Sequence, residues 1–250
     1  MTYCVGILVR EGLVMIADTR TNAGVDNVAT FRKLSVFNVP NERVIGVATA
    51  GNLATSQAVV TLVSEGLQDA ESGAVESVFT VPSMFKAAHL VGRAIREAHR
   101  MEGRDEQEAA NGFDVTVLLG GQVKGGKLRL FMCYSAGNFI QATTDTPYLQ
   151  IGEHKYGKPI LDRAVTGDTT LADALKLGLL SMDSTMRSNL SVGMPLDLLT
   201  VRRDTIAVDI SYRIQQSDPY FQSLRQSWSE ALRAAHRAIP PPPYVSQVDG

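Results

Sequence analysis

Thr2 carries a hydroxyl and, once Met1 is removed, an α-amine on the same residue. A hydroxyl is a weak nucleophile near neutral pH and needs a base within hydrogen-bond reach. An unblocked α-amine, with an ordinary pKa of about 7.7 to 8.0, can be that base. The small side chain at position 2 is the kind that permits removal of the initiator methionine. Other chemistry finds less support. His89, His99, His154 and His236 are scattered, and the two cysteines, Cys4 and Cys133, have no zinc-like spacing, so neither a metal nor another cofactor is expected. Gly120-Gly121 and Gly125-Gly126 lack the strand-to-helix setting of a phosphate loop.

The elements that must position Thr2 are legible as runs. Thr2 to Val9 and Leu13 to Ala17 are apolar and β-rich around Arg10-Glu11-Gly12, which predicts a hairpin at the N-terminus. Ala17-Asp18-Thr19-Arg20 closes it, and Arg32-Lys33 opens the next strand, Lys33 to Phe37. Asn38 to Glu42 form a turn before a strand from Arg43 to Thr49, so four strands are expected before any helix. Leu53, Val59, Val60, Val63 and Leu67 then fall on one helical stripe. A second helix is predicted from Ser83 to Met101, with a loop from Glu71 to Thr80 between the two.

After a polar, solvated stretch over 104–112, strands are predicted at Asp114 to Gly120 and Lys127 to Tyr134, punctuated by the paired glycines, and at Phe139 to Ala142 and Tyr148 to Ile151. Helices follow near Lys158 to Val165 and Leu171 to Arg187. A last hairpin, Leu196 to Val201 with Thr205 to Tyr212, turns at Arg203-Asp204. Strand runs separated by helix pairs argue for antiparallel sheets, because single crossovers would alternate strand and helix one by one. The expected class is α+β, two antiparallel sheets stacked between two helical layers in a four-layer αββα sandwich, with a doubly wound αβ fold as the alternative. One domain is expected over 1–239. Its last helix, near Pro219 to Ala238, carries an apolar stripe of Phe221, Leu224, Trp228, Leu232 and Ala235, and a Pro-rich tail over 240–250 comes after it.

Composition narrows the partners. The chain of 250 residues is 44% hydrophobic and 20% charged, and 24 Lys plus Arg against 26 Asp plus Glu leave a net charge of -2. No whole-protein field exists to gather polyanions, so nucleic acid is an unexpected partner. No apolar run approaches the roughly 18 residues that span a bilayer, and no basic leader precedes the first strand, so a soluble protein without membrane contact is expected. Two cysteines inside apolar runs suit buried thiols in a reducing, cytoplasmic compartment.

In order and spacing, Thr2, Asp18 with Arg20, Lys33 and Ala50-Gly51 together resemble the proteasome β-subunit family of N-terminal-nucleophile hydrolases. Thr2 to Asp18 keeps the family's spacing, and Lys33 falls one residue short of it, a deletion that the loop from Asn22 to Ala29 can absorb. The stretch from Leu13 to Lys33, with Thr21-Asn22-Ala23-Gly24-Val25-Asp26, and Arg187-Ser188-Asn189-Leu190-Ser191 are similar to the family's bacterial Anbu branch. The likeness spans nearly the whole chain.

The resemblance implies a threonine peptidase in which the Lys33 ammonium favours the Thr2 alkoxide, Asp18 holds that ammonium, and the Gly51 N–H receives the oxyanion. It implies a substrate pocket lined by Thr21, Phe31, Thr49 and Leu53. It also implies a peptide or protein substrate, and self-assembly into a homo-oligomer of dimers stacked in an open spiral. Two stretches depart from the family pattern. Gly152-Glu153-His154 sets Glu153 where a hydroxyl is expected, and Arg187-Ser188-Asn189-Leu190-Ser191 keeps Arg and Ser but replaces an Asp with Ser188, for which Asp183 can substitute. These departures leave open a narrow amidase or transpeptidase, or a non-catalytic scaffold.

Overall fold

The computed structural model describes residues 1–22, 28–69, 73–103 and 115–244. The chain divides into two compact units, Met1–Gln216 and Ser217–Gly250.

In the first unit the N-terminal run folds as β1 (Tyr3–Leu8) and β2 (Gly12–Asp18), antiparallel, with Val5 opposite Ile16. Gly12 is required at the turn, since a Cβ there would lie 2.4 Å from the Val201 carbonyl. Two short strands that the sequence did not predict come next: β3 (Arg20–Asn22) pairs with β4 (Val28–Thr30), so six strands, not four, precede the first helix. Three residues are too few for a recognisable hydrophobic period. Then come β5 (Leu34–Val39) and β6 (Arg43–Gly51), joined by a turn in which Asn41 takes φ +61°.

Helix α1 (Leu53–Glu65) starts at Asn52, whose side-chain oxygen accepts from the N–H groups of Ala54 and Thr55. It stops at Gly66, φ +109°, so Leu67 belongs not to the helical stripe but to β7 (Leu67–Gln68). That strand pairs with β8 (Val75–Glu76), which occupies part of the span expected to be loop. Helix α2 (Met84–Met101) is capped by the Ser83 hydroxyl. The polar stretch 104–112, and Asp114, lie outside the described residues.

β9 (Val115–Val123) and β10 (Arg129–Cys133) form the next hairpin. Its turn runs from Val123 to Gly126 with Gly125 at φ +77°, whereas Gly120 and Gly121 sit inside β9, contrary to the expected punctuation. The reason is packing: a Cβ on Gly120 would meet Leu13 at 2.7 Å and Met15 at 2.9 Å on the facing sheet. The chain continues through β11 (Phe139–Gln141), β12 (Tyr148–Gly152), α3 (Lys158–Ala164), α4 (Leu171–Ser188) and β13 (Leu196–Arg202). β14 (Ile210–Ile214) begins later than predicted, because Asp204 and Ile206 both take positive φ and extend the turn.

Strand order is β12-β1-β2-β13-β14 in one sheet and β11-β10-β9-β6-β5 in the other. Leu13, Met15 and Ala17 of β2 pack between the sheets against Val44, Ala48, Leu118 and Leu130. The outer face of the second sheet packs Ile45, Val47, Val117 and Leu119 against Val59 and Val63 of α1 and Leu90, Val91, Ala94 and Ile95 of α2. On the opposite side α4, with α3 beside it, covers β1 and β2. Gly178 of α4 leaves room for Ile16, which a Cβ there would meet at 2.8 Å. The layers are therefore helix, sheet, sheet, helix, the αββα sandwich of the α+β class.

The second unit holds α5 (Pro219–Ala238) and the C-terminal tail. Asp218 caps the helix by accepting from the Phe221 N–H, and Pro219 occupies the first turn, where its missing donor costs nothing. Phe221 is buried, Leu232 is 52% exposed, and the run from Pro240 to Tyr244 is exposed as well.

Candidate active site

Thr2 immediately precedes β1 and is 8% exposed. Its main chain is fastened from both neighbouring strands. The Glu153 N–H donates to the Thr2 carbonyl at 2.7 Å, and the next N–H, of Tyr3, donates to Asp18 Oδ1 at 3.1 Å. Gly152, at φ +80°, lies flat against this point, since a Cβ there would come within 2.0 Å of the Thr2 carbonyl oxygen. One residue on, the Tyr3 hydroxyl bonds Ser181 Oγ of α4 at 2.6 Å and receives the Gln150 amide.

Asp18 ends β2 and is fully buried. Its carboxylate accepts from Lys33 Nζ at 2.8 Å, from Tyr3 N and, through Oδ2, from Gly193 N at 3.2 Å. Burial pushes the Asp18 carboxyl above the usual carboxylate range; the Lys33 ammonium and the two N–H donors pull it back down. Lys33 is 6% exposed, donates also to the Arg20 carbonyl at 2.6 Å, and has its own carbonyl tied to Thr49 N at 3.0 Å. The lysine is thereby fixed between the two sheets.

Gly51 ends β6 at φ +118°, where L side chains are strained, and Asn52 then starts α1. Asn52 takes the N–H groups of Ala54 and Thr55, and the partial positive charge of the helix start favours an oxyanion nearby. Thr2, Lys33 and Gly51 line one cavity of about 380 Å³, together with Thr21, Thr49 and Leu53 of the expected pocket. Phe31 does not line it; the ring is 38% exposed and its N–H bonds the Thr19 carbonyl. Asn52 and Ser56 of α1, to which the sequence attached no role, line it as well. Thr21 Oγ1 is buried without a hydrogen-bond partner among the described residues.

The remaining sequence candidates divide. Arg20 Nη1 donates to the Leu190 carbonyl at 2.8 Å and packs over Gly193, whose Cβ position would fall 2.4 Å from Arg20 Cζ. Together with Asp18, it pins the loop after α4. Ser191 is half-buried in that loop, its N–H held by Asn189 Oδ1, whereas Ser188 is exposed at the end of the helix. Asp183 is fully buried and accepts from Arg187 Nε at 2.9 Å, one turn along α4. Among the described residues no group of three or more His, Cys, Asp or Glu could hold a metal ion.

Comparison with known proteins bears on this arrangement. The sequence model for proteasome subunits matches residues 2–201. The chain belongs to the proteasome subunit family. Solved Anbu structures are similar over nearly its whole length. Anbu, the ancestral beta-subunit, from Yersinia bercovieri is 46% identical, covering 98% of this chain and 100% of that one, with a TM-score of 0.88. Anbu from Hyphomicrobium sp. strain MC1 is 50% identical over 96% and 98%, with a TM-score of 0.86. The helical assembly of the Anbu complex from Pseudomonas aeruginosa is 48% identical over 97% and 98%, with a TM-score of 0.87. No curated protein matches the chain.

The stretch where this proteasome-family chain departs from the expected pattern is structured and close to residue 1. Glu153 holds the Thr2 carbonyl through its backbone, and its carboxylate accepts from Asn189 Nδ2 at 3.2 Å. Asn189 Nδ2 in turn reaches the Met1 sulfur at 3.9 Å. Asn189, the residue that ends α4, had no assigned role in the sequence. Only the fold joins it to Glu153, 36 residues earlier.

Proposed function

We propose that this proteasome-family subunit hydrolyses peptide bonds through Thr2 after removal of Met1. The observation that carries the proposal is the buried Lys33–Asp18 pair, which lines one cavity with Thr2 and the Gly51 end of β6. In the proposed reaction the Thr2 α-amine takes the hydroxyl proton as Oγ bonds the substrate carbonyl carbon, and the carbonyl π pair becomes an oxyanion that accepts from Gly51 N–H. Lys33 stabilises the developing alkoxide. Collapse breaks the C–N bond, the α-ammonium returns its proton to the leaving amine, and water, deprotonated by the same amine, cleaves the ester to regenerate Thr2.

The cavity lining of Thr21, Thr49, Leu53 and Ser56 is neutral, which favours a small or apolar side chain next to the scissile bond. Self-assembly into a homo-oligomer fits the helical assembly of the Pseudomonas relative and the exposed apolar end of α5. Buried, unbridged Cys4 and Cys133 suit a cytoplasmic setting, and no helix of the described residues is long and apolar enough to cross a membrane.

The test uses the chain beginning at Thr2, a peptide library and an electrophile directed at terminal threonine. The expected result is one covalent adduct on Thr2 and hydrolysis of a restricted set of peptides, both lost in Thr2→Ala. Hydrolysis that survives Thr2→Ala unchanged ends the proposal.

A further inference from the structure

Glu153 is a half-buried carboxylate beside residue 1, and among the described residues no cationic side chain pairs with it. Its side-chain partner is the neutral Asn189 amide. The buried acids Asp18 and Asp183 are matched, Asp18 by Lys33 and Asp183 by Arg187. A carboxylate whose side-chain partner is a neutral amide keeps lone pairs free to accept from a cationic ligand.

The position of this carboxylate indicates which half of a substrate meets it. The Met1 side chain lies with its sulfur 3.9 Å from Asn189 Nδ2, the nitrogen that also donates to Glu153, and removal of Met1 takes that contact away. In hydrolysis through Thr2 the leaving nitrogen must sit beside the α-amine that gives it a proton. The residue attached to that nitrogen therefore faces the groups that surround residue 1. On the acyl side, the cavity offers the neutral Thr21, Thr49, Leu53 and Ser56.

From this geometry we infer that Glu153, oriented by Asn189, recognises a cationic side chain, Lys or Arg, on the residue immediately after the scissile bond. The inference rests on the proposed reaction at Thr2 and adds to it the chemistry of the leaving half. Asn189 sets the direction of the carboxylate, and its second amide hydrogen can bond the main chain of the same residue. Because the site is open to solvent, the preference is moderate and falls as salt rises.

The experiment uses the full chain beginning at Thr2 and pairs of quenched-fluorescence peptides that differ only in lysine or norleucine after the scissile bond. The expected kcat/KM ratio favours lysine by about 2- to 5-fold in low salt, the range of charge pairs at solvent-open sites. The ratio falls to near one in Glu153→Gln, which keeps an acceptor for Asn189, and falls below one in Glu153→Lys. A uniform loss for all peptides in Glu153→Gln, with the ratio unchanged, overturns the inference and assigns Glu153 to the Thr2 amine instead.

Recognition does not require turnover, so the same pair is measured as Kd with a ketomethylene group in place of the scissile amide. Equal affinities for lysine and norleucine overturn the inference whether or not hydrolysis occurs. Failure of the Thr2 reading is seen separately, as no hydrolysis of peptidyl aminocoumarins, whose leaving group carries no side chain.

Discussion

Replacing Lys33 by Met separates the charge role of this residue from its packing role. Lys33 is 6% exposed and donates to Asp18 Oδ1 at 2.8 Å and to the Arg20 carbonyl at 2.6 Å. Removing one partner of a buried ion pair costs about 3 to 5 kcal/mol, because the other charge stays behind without compensation. Asp18 would keep two N–H donors, from Tyr3 and Gly193, which places the expected loss near the lower end, about 3 kcal/mol. At roughly 2 to 4 °C per kcal/mol for a chain of this size, Tm falls by roughly 6 to 12 °C at neutral pH.

The sign of the pH dependence is set by Asp18. Burial already raises its carboxyl, and the variant lacks the ammonium that pulled it down. The folded-state pKa of Asp18 in the variant then lies still further above the unfolded value. Between those two values the folded state binds more protons than the unfolded state, so stability declines as pH rises. The Tm deficit relative to the parent should therefore be full at about pH 8 and shrink by about pH 5. Calorimetry of both proteins across that range is the assay. A deficit that stays constant with pH would refute the charge argument and leave only packing. Asp18→Asn combined with Lys33→Met should recover part of the loss, since an amide nitrogen facing the Gly193 N–H prevents full recovery.

Gly152→Ala places a methyl 2.0 Å from the Thr2 carbonyl at a residue with φ +80°, so it should cost about 1 to 3 kcal/mol and displace Thr2. Its Tm should fall, and the proposed hydrolysis at Thr2 should fall further than an equally destabilising substitution in α2 lowers it. Burial pushes the Cys133 thiol up to about 12 and raises Cys4 as well, so neither should react with a thiol reagent in the native chain at neutral pH, while both react after unfolding. Mass spectrometry of the labelled chain reads the result, and rapid native labelling of Cys4 would mean that the sheets open where its thiol meets the Thr49 carbonyl.

The legible parts of the fold were those with a strong period or a strong local signal. Continuous apolar runs gave β1 and β2 because both strands are buried on two faces, and Ser83 marks the start of α2 by capping chemistry, whereas the caps Asn52 and Thr170 emerged only from the structure. The illegible parts depend on neighbours distant in sequence. Gly120 reads as a turn residue, yet it is glycine because Leu13 and Met15 of the other sheet approach it. In the candidate site, Thr2, Asp18, Lys33 and Gly51 were visible through order and spacing. Glu153 was visible as a departure, but its pairing with Asn189 was not, since no local pattern joins the end of β12 to the end of α4. Phe31 was placed in the pocket by its neighbourhood to Lys33, but its main chain bonds to Thr19 and its ring is 38% exposed, so it stands outside.

The position of Thr2 is set by the main chain on either side of it. The Thr2 carbonyl is held by Glu153 N, the Tyr3 N–H by Asp18, and Tyr3 is anchored through its hydroxyl to Ser181. All these contacts lie on the C-terminal side of the Thr2 nitrogen. Among the hydrogen bonds of the described residues, Met1 contributes the weak contact of its sulfur with Asn189. Removal of Met1 therefore leaves the main-chain bonds of Thr2 and Tyr3 in place, with Thr2 and Lys33 lining the same cavity. The same reasoning ties Asp18 to two tasks, since its Oδ1 accepts from both Lys33 and the N–H of Tyr3, next to Thr2. A substitution at Asp18 should thus disturb the main chain beside Thr2 and the partner of Lys33 together, whereas one at Lys33 leaves the Tyr3 N–H bond to Asp18 in place and removes the bonds to Asp18 and the Arg20 carbonyl.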